Sequence, residues 1–265
     1  APFALKGVFD SSDKGVAPRD RAFATELVYG VLRWRGRIDH ILSQFSKRPL
    51  VKLTPWTRNA LRIGLYQLLF LPSIPHAVAC DETVRLVSGQ EPWATGFANA
   101  LLRAYLRGAD KVRFPDPNQD PAQYLSVYHS HPHWMVRRWI DRFQFETTEA
   151  ICQANNRIPP VTIRIQGDQV DIEDVRAKLE ARGVDVSPGR LSPWALRLHL
   201  KGMGPVESLP GFHEGHFQVQ DESSQLVAWV VDPPSYGRTA DLCAAPGGKT
   251  THMAALMRFQ DKEAK

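Results

Sequence analysis

The chain has 265 residues, 43% hydrophobic and 23% charged, with a formal net charge of +5 and a pI near 9.2. Those values are ordinary for a soluble globular protein with room for about two domains. No window approaches 18 consecutive apolar residues, which excludes a membrane span; the longest apolar stretch, LYQLLFLPSIP, is cut by Pro72.

The first residues, APFALKGVFDSSDKG, lack the basic–apolar–small order of a signal peptide. Cys80, Cys152 and Cys243 are far apart and odd in number, which fits a reducing, cytoplasmic setting better than a disulfide framework. No CxxC occurs and the nine histidines show no zinc spacing, so no metal is expected. Charge is unevenly placed. Residues 1–110 hold 15 Lys/Arg and 9 Asp/Glu; the remainder holds 18 and 19. Between 31 and 62, eight basic residues face one acid, Asp39. A basic segment beside a neutral one points to a polyanion partner, with a merely solvated basic face as the alternative.

Residues 18–110 read as helices. Phe23, Leu27 and Val31 repeat every four residues, and Ile38, Ile41, Leu42 and Phe45 follow at i, i+3, i+4, i+7. Thr54 is placed as an N-cap with Pro55 at the first helical position; Leu61, Leu65, Leu68 and Leu69 line one face. Asp81 is expected to cap another helix, and Phe97, Leu101 and Tyr105 mark the last. The stripes predict a helical bundle. Three prolines and several aspartates in RGADKVRFPDPNQDPAQ (107–123) predict a linker and a domain boundary. HSHPH (129–133) suits a loop leading into a helix that carries Val136, Trp139, Ile140 and Phe143 on one side.

Strict alternation in PVTIRIQ predicts a half-buried strand, with Val161, Ile163 and Ile165 facing one way and Thr162, Arg164 and Gln166 the other. DIEDVRAKLEARG is a helix stopped by Gly183, and WALRLHL alternates again through Leu196, Leu198 and Leu200. A small α+β module follows from this order. GHFQVQD then reads as a short strand, ESSQLVAWVV as a helix, TADLC as a buried strand, AAPGGKT as a loop and THMAALM as the start of a helix. Strand, glycine loop and helix form the opening unit of a doubly wound α/β domain.

Three readings of that loop compete. A P-loop requires its first glycine at position 243, which is a cysteine. A dinucleotide fingerprint needs G-x-G-x-x-G, whereas Gly247 and Gly248 are adjacent. The third reading is a loop that lets backbone approach an adenosyl ligand, with Ala244, Ala245 and Pro246 keeping it narrow and stiff. Helix N–H groups and Lys249 would then meet the carboxylate of S-adenosylmethionine.

DLCAAPGGKTTHMA, preceded by FQVQDESSQLV, resembles the first cofactor motif of the RsmB (Sun/Fmu) type of ribosomal RNA small-subunit cytosine-C5 methyltransferases. ELVYGVLRWRGRIDHIL, LRIGLYQLLFLPSIPHAVACDETV and FANALLR resemble the family's NusB-like helices, and NNRIPPVTIRI resembles the opening of its middle module. The resemblance covers nearly the whole chain. It implies a multidomain architecture: an all-α NusB-like RNA-binding domain over 1–113, a small α+β module over 120–208, and over 209–265 the opening β-α unit of a Rossmann-like methyltransferase domain. It implies S-adenosyl-L-methionine as cofactor, bound by Cys243, Ala244, Ala245, Pro246, Gly247, Gly248 and Lys249. It implies methylation of cytosine C5 in 16S ribosomal RNA by a monomeric, cytoplasmic protein without a membrane or a metal. Arg33, Arg35, Arg37 and Arg62 are expected RNA contacts.

The chemistry needs a cysteine thiolate that adds to C6 of cytosine and loads electron density onto C5, and a base that later removes the C5 proton. The family places its two cysteines after Pro and after Thr. Here Cys80 follows Ala, Cys152 follows Ile and Cys243 follows Leu, and the acid expected for the cofactor ribose is also missing. With no Met at residue 1 and an abrupt RFQDKEAK at the end, the chain reads as a piece of a longer enzyme that is inactive alone. The alternative is a non-catalytic NusB-like RNA-binding or transcription- or ribosome-associated interaction module.

Overall fold

The computed structural model describes residue 7, residues 15–199 and residues 205–263. The chain divides into two compact units, Ala1–Arg157 and Ile158–Lys265.

The described part of the first unit is helical: α1 (Pro18–Arg33), α2 (Arg35–Phe45), α3 (Pro55–Phe70), α4 (His76–Gln90), α5 (Thr95–Gly108), α6 (Pro121–Tyr128) and α7 (His133–Asn155). The apolar stripes of the sequence form its core. Ile38, Leu42, Leu61, Leu65, Val87, Ala98 and Leu102 are fully buried, with Leu27, Val31, Phe45, Leu68 and Phe97 packed around them. Phe23, at the start of the first stripe, is 44% exposed. Thr54 caps α3 by accepting the Thr57 amide at 3.3 Å, and Pro55 follows it. Close helix approach depends on two glycines. A Cβ at Gly30 would lie 2.1 Å from the Tyr66 ring, and one at Gly64 would lie 2.4 Å from the Thr83 hydroxyl.

Two expectations change here. Asp81 sits inside α4, whose N-cap position is Pro75, so it caps nothing. The proline-rich segment 107–123 is tied to the bundle. Val112 and Phe114 pack against the core, and the Arg113 carbonyl accepts hydrogen bonds from His40 Nε2 at 2.7 Å and Gln44 Nε2 at 3.0 Å. α6 packs on α2 and α7, so residues 121–155 belong to the helical unit, and the compact division falls at 157/158. The two apolar anchors outweigh the breaker composition. Inside α7, Gln144 has φ 66°, which interrupts the helix. Val136 is buried while Phe143 is 37% exposed.

The second unit contains one antiparallel sheet in the order β2-β3-β1-β4: β1 (Val161–Ile165), β2 (Asp185–Pro188), β3 (Ala195–His199) and β4 (Phe217–Val219). α8 (Ile172–Ala181) links β1 to β2, and Gly183 (φ +85°) ends it. Ile163, Ile165, Val175, Leu179, Leu196 and Leu198 form the core on one face. Leu200 lies outside the described residues.

The other face of β1 is covered too, against the half-buried expectation. Arg164 is 0% exposed and Thr162 is buried. The cover comes from α9 (Glu222–Val231), which packs on β1 and on α10 (Gly248–Glu263). Trp194, Ala228, Met253, Ala255 and Leu256 make a further core cluster beside it. The segment after residue 210 is therefore docked on the middle module through β4. Residues 239–243, expected as a buried strand, are irregular, and Leu242 is 95% exposed. Among the described residues no neighbouring strand offers them a ladder, and a strand without a partner leaves its N–H and C=O groups unpaired.

Candidate functional site

The glycine loop is held from both ends. At its base the Asp241 carboxylate accepts the Cys243 amide at 3.0 Å and the Thr250 hydroxyl at 2.7 Å. The Thr250 bond first, then the Cys243 bond, hold its pKa below the usual carboxylate value. The Ala245–Pro246 peptide is cis. Gly247 has φ +102°, a conformation that L side chains rarely adopt. α10 starts at the next residue, and its first i→i−4 bond runs from Thr251 N to Gly247 O at 2.9 Å. The amides of Gly248, Lys249 and Thr250 precede that bond and have no intrahelical acceptor.

The loop faces residues 219–224. Cys243, Ala244, Ala245, Pro246, Gly248 and Lys249 line one cleft of about 240 Å³ together with Gln220, Asp221 and Ser224. Gly247 shapes the turn without lining the cleft. The volume is below the ~300–1,000 Å³ of complete small-ligand pockets, so it suits part of a nucleoside-sized ligand. Spare amides, a positive-φ glycine and one lysine fit an adenosyl amino acid carrying a carboxylate. Cys243 is exposed and free. Sequence reasoning missed Asp241, Gln220, Asp221 and Ser224 as site residues. Their signal was present in QDESS and in the Asp–Thr spacing across the glycines.

Below the cleft lies Arg164. Its Nε donates to Gln220 Oε1 at 2.7 Å, Nη1 to Gln166 Oε1 at 2.9 Å and Nη2 to Thr251 Oγ1 at 3.2 Å. Burial pushes its pKa down to about 10, which leaves it charged at neutral pH. The guanidinium ties a cleft-lining side chain to the first turn of α10.

The basic run lies in the first unit. Arg35 is exposed at the start of α2, and Arg33 is half-buried at the end of α1. The Arg37 guanidinium lies 4.2 Å from the Tyr128 ring centroid and 5.3 Å from Phe114, and its amide donates to Ser130 Oγ at 2.8 Å. Arg62 is paired with Asp39 through two hydrogen bonds of 2.7 and 2.6 Å. The structure thus brings the four arginines onto α1, α2 and α3, but two guanidiniums already have internal partners. Within the HSHPH cluster His129 is buried, with its Nε2 3.6 Å from Glu149, while His133 is exposed. Among the described residues no group of three or more His, Cys, Asp or Glu is arranged to hold a metal, and no helix is long and apolar enough to cross a membrane.

A helical bundle followed by a four-stranded α+β sheet defines a modular architecture of recognisable type. Residues 4–107 match the NusB family, and residues 131–205 match the Methyltr_RsmF/B-like, ferredoxin-like domain. The second match begins within the first compact unit and stops before β4.

The chain is 36% identical over 96% of its length to the "Probable ribosomal RNA small subunit methyltransferase B" of Bacillus subtilis (strain 168), and covers 55% of that protein. It is 32% identical over 94% of its length to the "Ribosomal RNA small subunit methyltransferase B" of Escherichia fergusonii, covering 56%. A solved structure, "Crystal Structure of PH0851", aligns with a TM-score of 0.68 at 27% identity over 97% of this chain and 57% of the other. By sequence the chain thus carries a NusB-family segment and an RsmF/B-like ferredoxin-like segment, and over most of its length it is similar to proteins named ribosomal RNA small subunit methyltransferase B. It spans about half the length of the curated relatives it matches.

Proposed function

We propose that this chain is the part of a ribosomal RNA cytosine-C5 methyltransferase that grips RNA and starts the cofactor site. The observation that carries the reading is the cleft between residues 219–224 and the cis-proline, positive-φ glycine loop. Residues 209–265 are read as the opening of the methyltransferase domain, with 1–113 as the RNA-binding domain and 120–208 as the module between them. When bound, S-adenosyl-L-methionine supplies an electrophilic methyl group on a sulfonium. The loop residues Cys243 to Lys249 would hold it: the amides of Gly248 and Lys249 and the Lys249 ammonium would be available to its carboxylate, and Gln220, Asp221 and Ser224 would close the facing wall.

None of the three thiols is read as the nucleophile. Burial raises the pKa of Cys80, and burial followed by Glu149 raises that of Cys152 to about 11, so both stay protonated at neutral pH. Cys243 lines the cofactor cleft. The nucleophile therefore belongs to residues outside these 265.

Arg33 and Arg35 are read as direct phosphate contacts. Arg37, engaged by Tyr128, keeps its charge and contributes to the positive field, whereas Arg62 is neutralised by its ion pair with Asp39. A second reading, a non-catalytic NusB-like RNA-binding module, draws on the irregular, exposed segment at 239–243.

The deciding experiment uses labelled cofactor, small-subunit RNA and two proteins. The full-length enzyme is expected to label cytosine, and the 265-residue chain is expected not to. Transfer by the short chain, or no cofactor binding by the long one, refutes the proposal.

A further inference from the structure

A second cleft, of about 340 Å³, lies on the helical unit where the chain enters α3 and α5. Its lining includes Arg48, Lys52, Thr54, Thr57, Trp93 and Phe97. Three observations set it apart from the rest of the basic run. Trp93 is 68% exposed, so a large aromatic face is left in water where it adds little to folding. Arg48 and Lys52 are exposed and have no carboxylate partner among the described residues, unlike Arg62. The hydroxyls of Thr54 and Thr57 donate to the Glu91 carboxylate, which leaves them only acceptor capacity.

We infer that this cleft takes one unstacked nucleotide of single-stranded RNA: Trp93 stacks the base, Arg48 and Lys52 hold the flanking phosphates, and the partly exposed Thr54 oxygen accepts from a base amino group. The inference rests on the RNA reading above and deepens it. A single aromatic face with two free cations is the arrangement that binds single strands with little regard to sequence. The cleft is sized for a small ligand, and a duplex does not offer its base faces to such a pocket. Two cations stand against one carboxylate, Glu91, which is held by the threonines and paired with neither cation; that balance favours a polyanion over a protein partner.

The test uses the full-length protein with a short single-stranded RNA and a duplex of the same sequence, read by fluorescence anisotropy across a salt series. Trp93→Ala is expected to weaken single-strand binding about tenfold, to leave duplex binding within about twofold, and to leave the salt slope unchanged. Trp93→Phe is expected to restore most of the loss. Arg48→Gln with Lys52→Gln is expected to reduce the salt slope by about 1.4.

Wild-type protein that binds no RNA overturns this inference together with the proposed function. Wild-type binding with unchanged variants overturns this site alone, as does loss of a protein partner with RNA affinity intact. Equal losses in Trp93→Ala and Trp93→Phe with a lowered Tm mark a folding defect and overturn the stacking role.

Discussion

His252 and Arg164 show how much one buried polar residue can set. His252 is fully buried, within 5.5 Å of the Trp194 ring and 5.9 Å of the Trp229 ring, and among the described residues neither ring nitrogen has a hydrogen-bond partner. Burial first, then the Arg164 charge, pull its pKa down to about 4. A histidine with a depressed native pKa favours the neutral form on folding. Its stability contribution is complete above the unfolded pKa near 6.5 and is lost as pH falls toward 4. The second unit is therefore expected to lose about 2–3 kcal/mol between pH 7 and pH 4.5 on this account. His252→Phe should flatten that dependence in urea unfolding; an equal slope in wild type and variant would refute it. Arg164 carries the opposite sign of legibility. The alternation of β1 placed it on a polar, solvent-facing side. A buried charge costs several kcal/mol unless hydrogen bonds compensate it, and Gln220, Gln166 and Thr251 supply those here.

At the scale of elements, the helices of the first unit were readable because one stripe of each faces one core. Thr54, Pro55 and the leucines of α3 needed no tertiary information. Strand β1 was readable as a strand but not as a doubly covered one, since α9 and α10 come from more than 50 residues further along. The expected strand at 239–243 shows the limit from the other side: an apolar run becomes a strand only where a ladder awaits it. The loop after it does keep its shape without that strand, through Asp241 and Gly247. At Gly247 a Cβ would meet nothing within 4 Å, so the cost of a side chain there is conformational, about 1–3 kcal/mol. Gly247→Ala in the full-length protein is expected to weaken cofactor binding about tenfold by calorimetry while RNA affinity holds. Unchanged cofactor affinity would mean the loop does not shape that site.

The whole molecule consists of two compact units that meet in sequence at RIPP, and the cores of the two share no residue. Each should fold without the other. Residues 1–157 expressed alone are expected to give one cooperative thermal transition by far-UV circular dichroism; a gradual melt would show that the bundle needs residues beyond 157. The proline and aspartate cluster at 107–123 does not coincide with the compact division at 157/158, although the match to the ferredoxin-like domain already begins at residue 131. Composition registers the breakers but not that Val112 and Phe114 find a core.

Periodicity, caps and charge spacing are local, so the amino-acid order alone determined the helical bundle, the strands of the middle module, the glycine loop and the basic run. Which polar residues are buried, which arginines keep a free charge and which side chains face the glycine loop depend on segments far apart in the chain. Only packing decides those, because burial and pairing belong to the surroundings a residue acquires rather than to the residue.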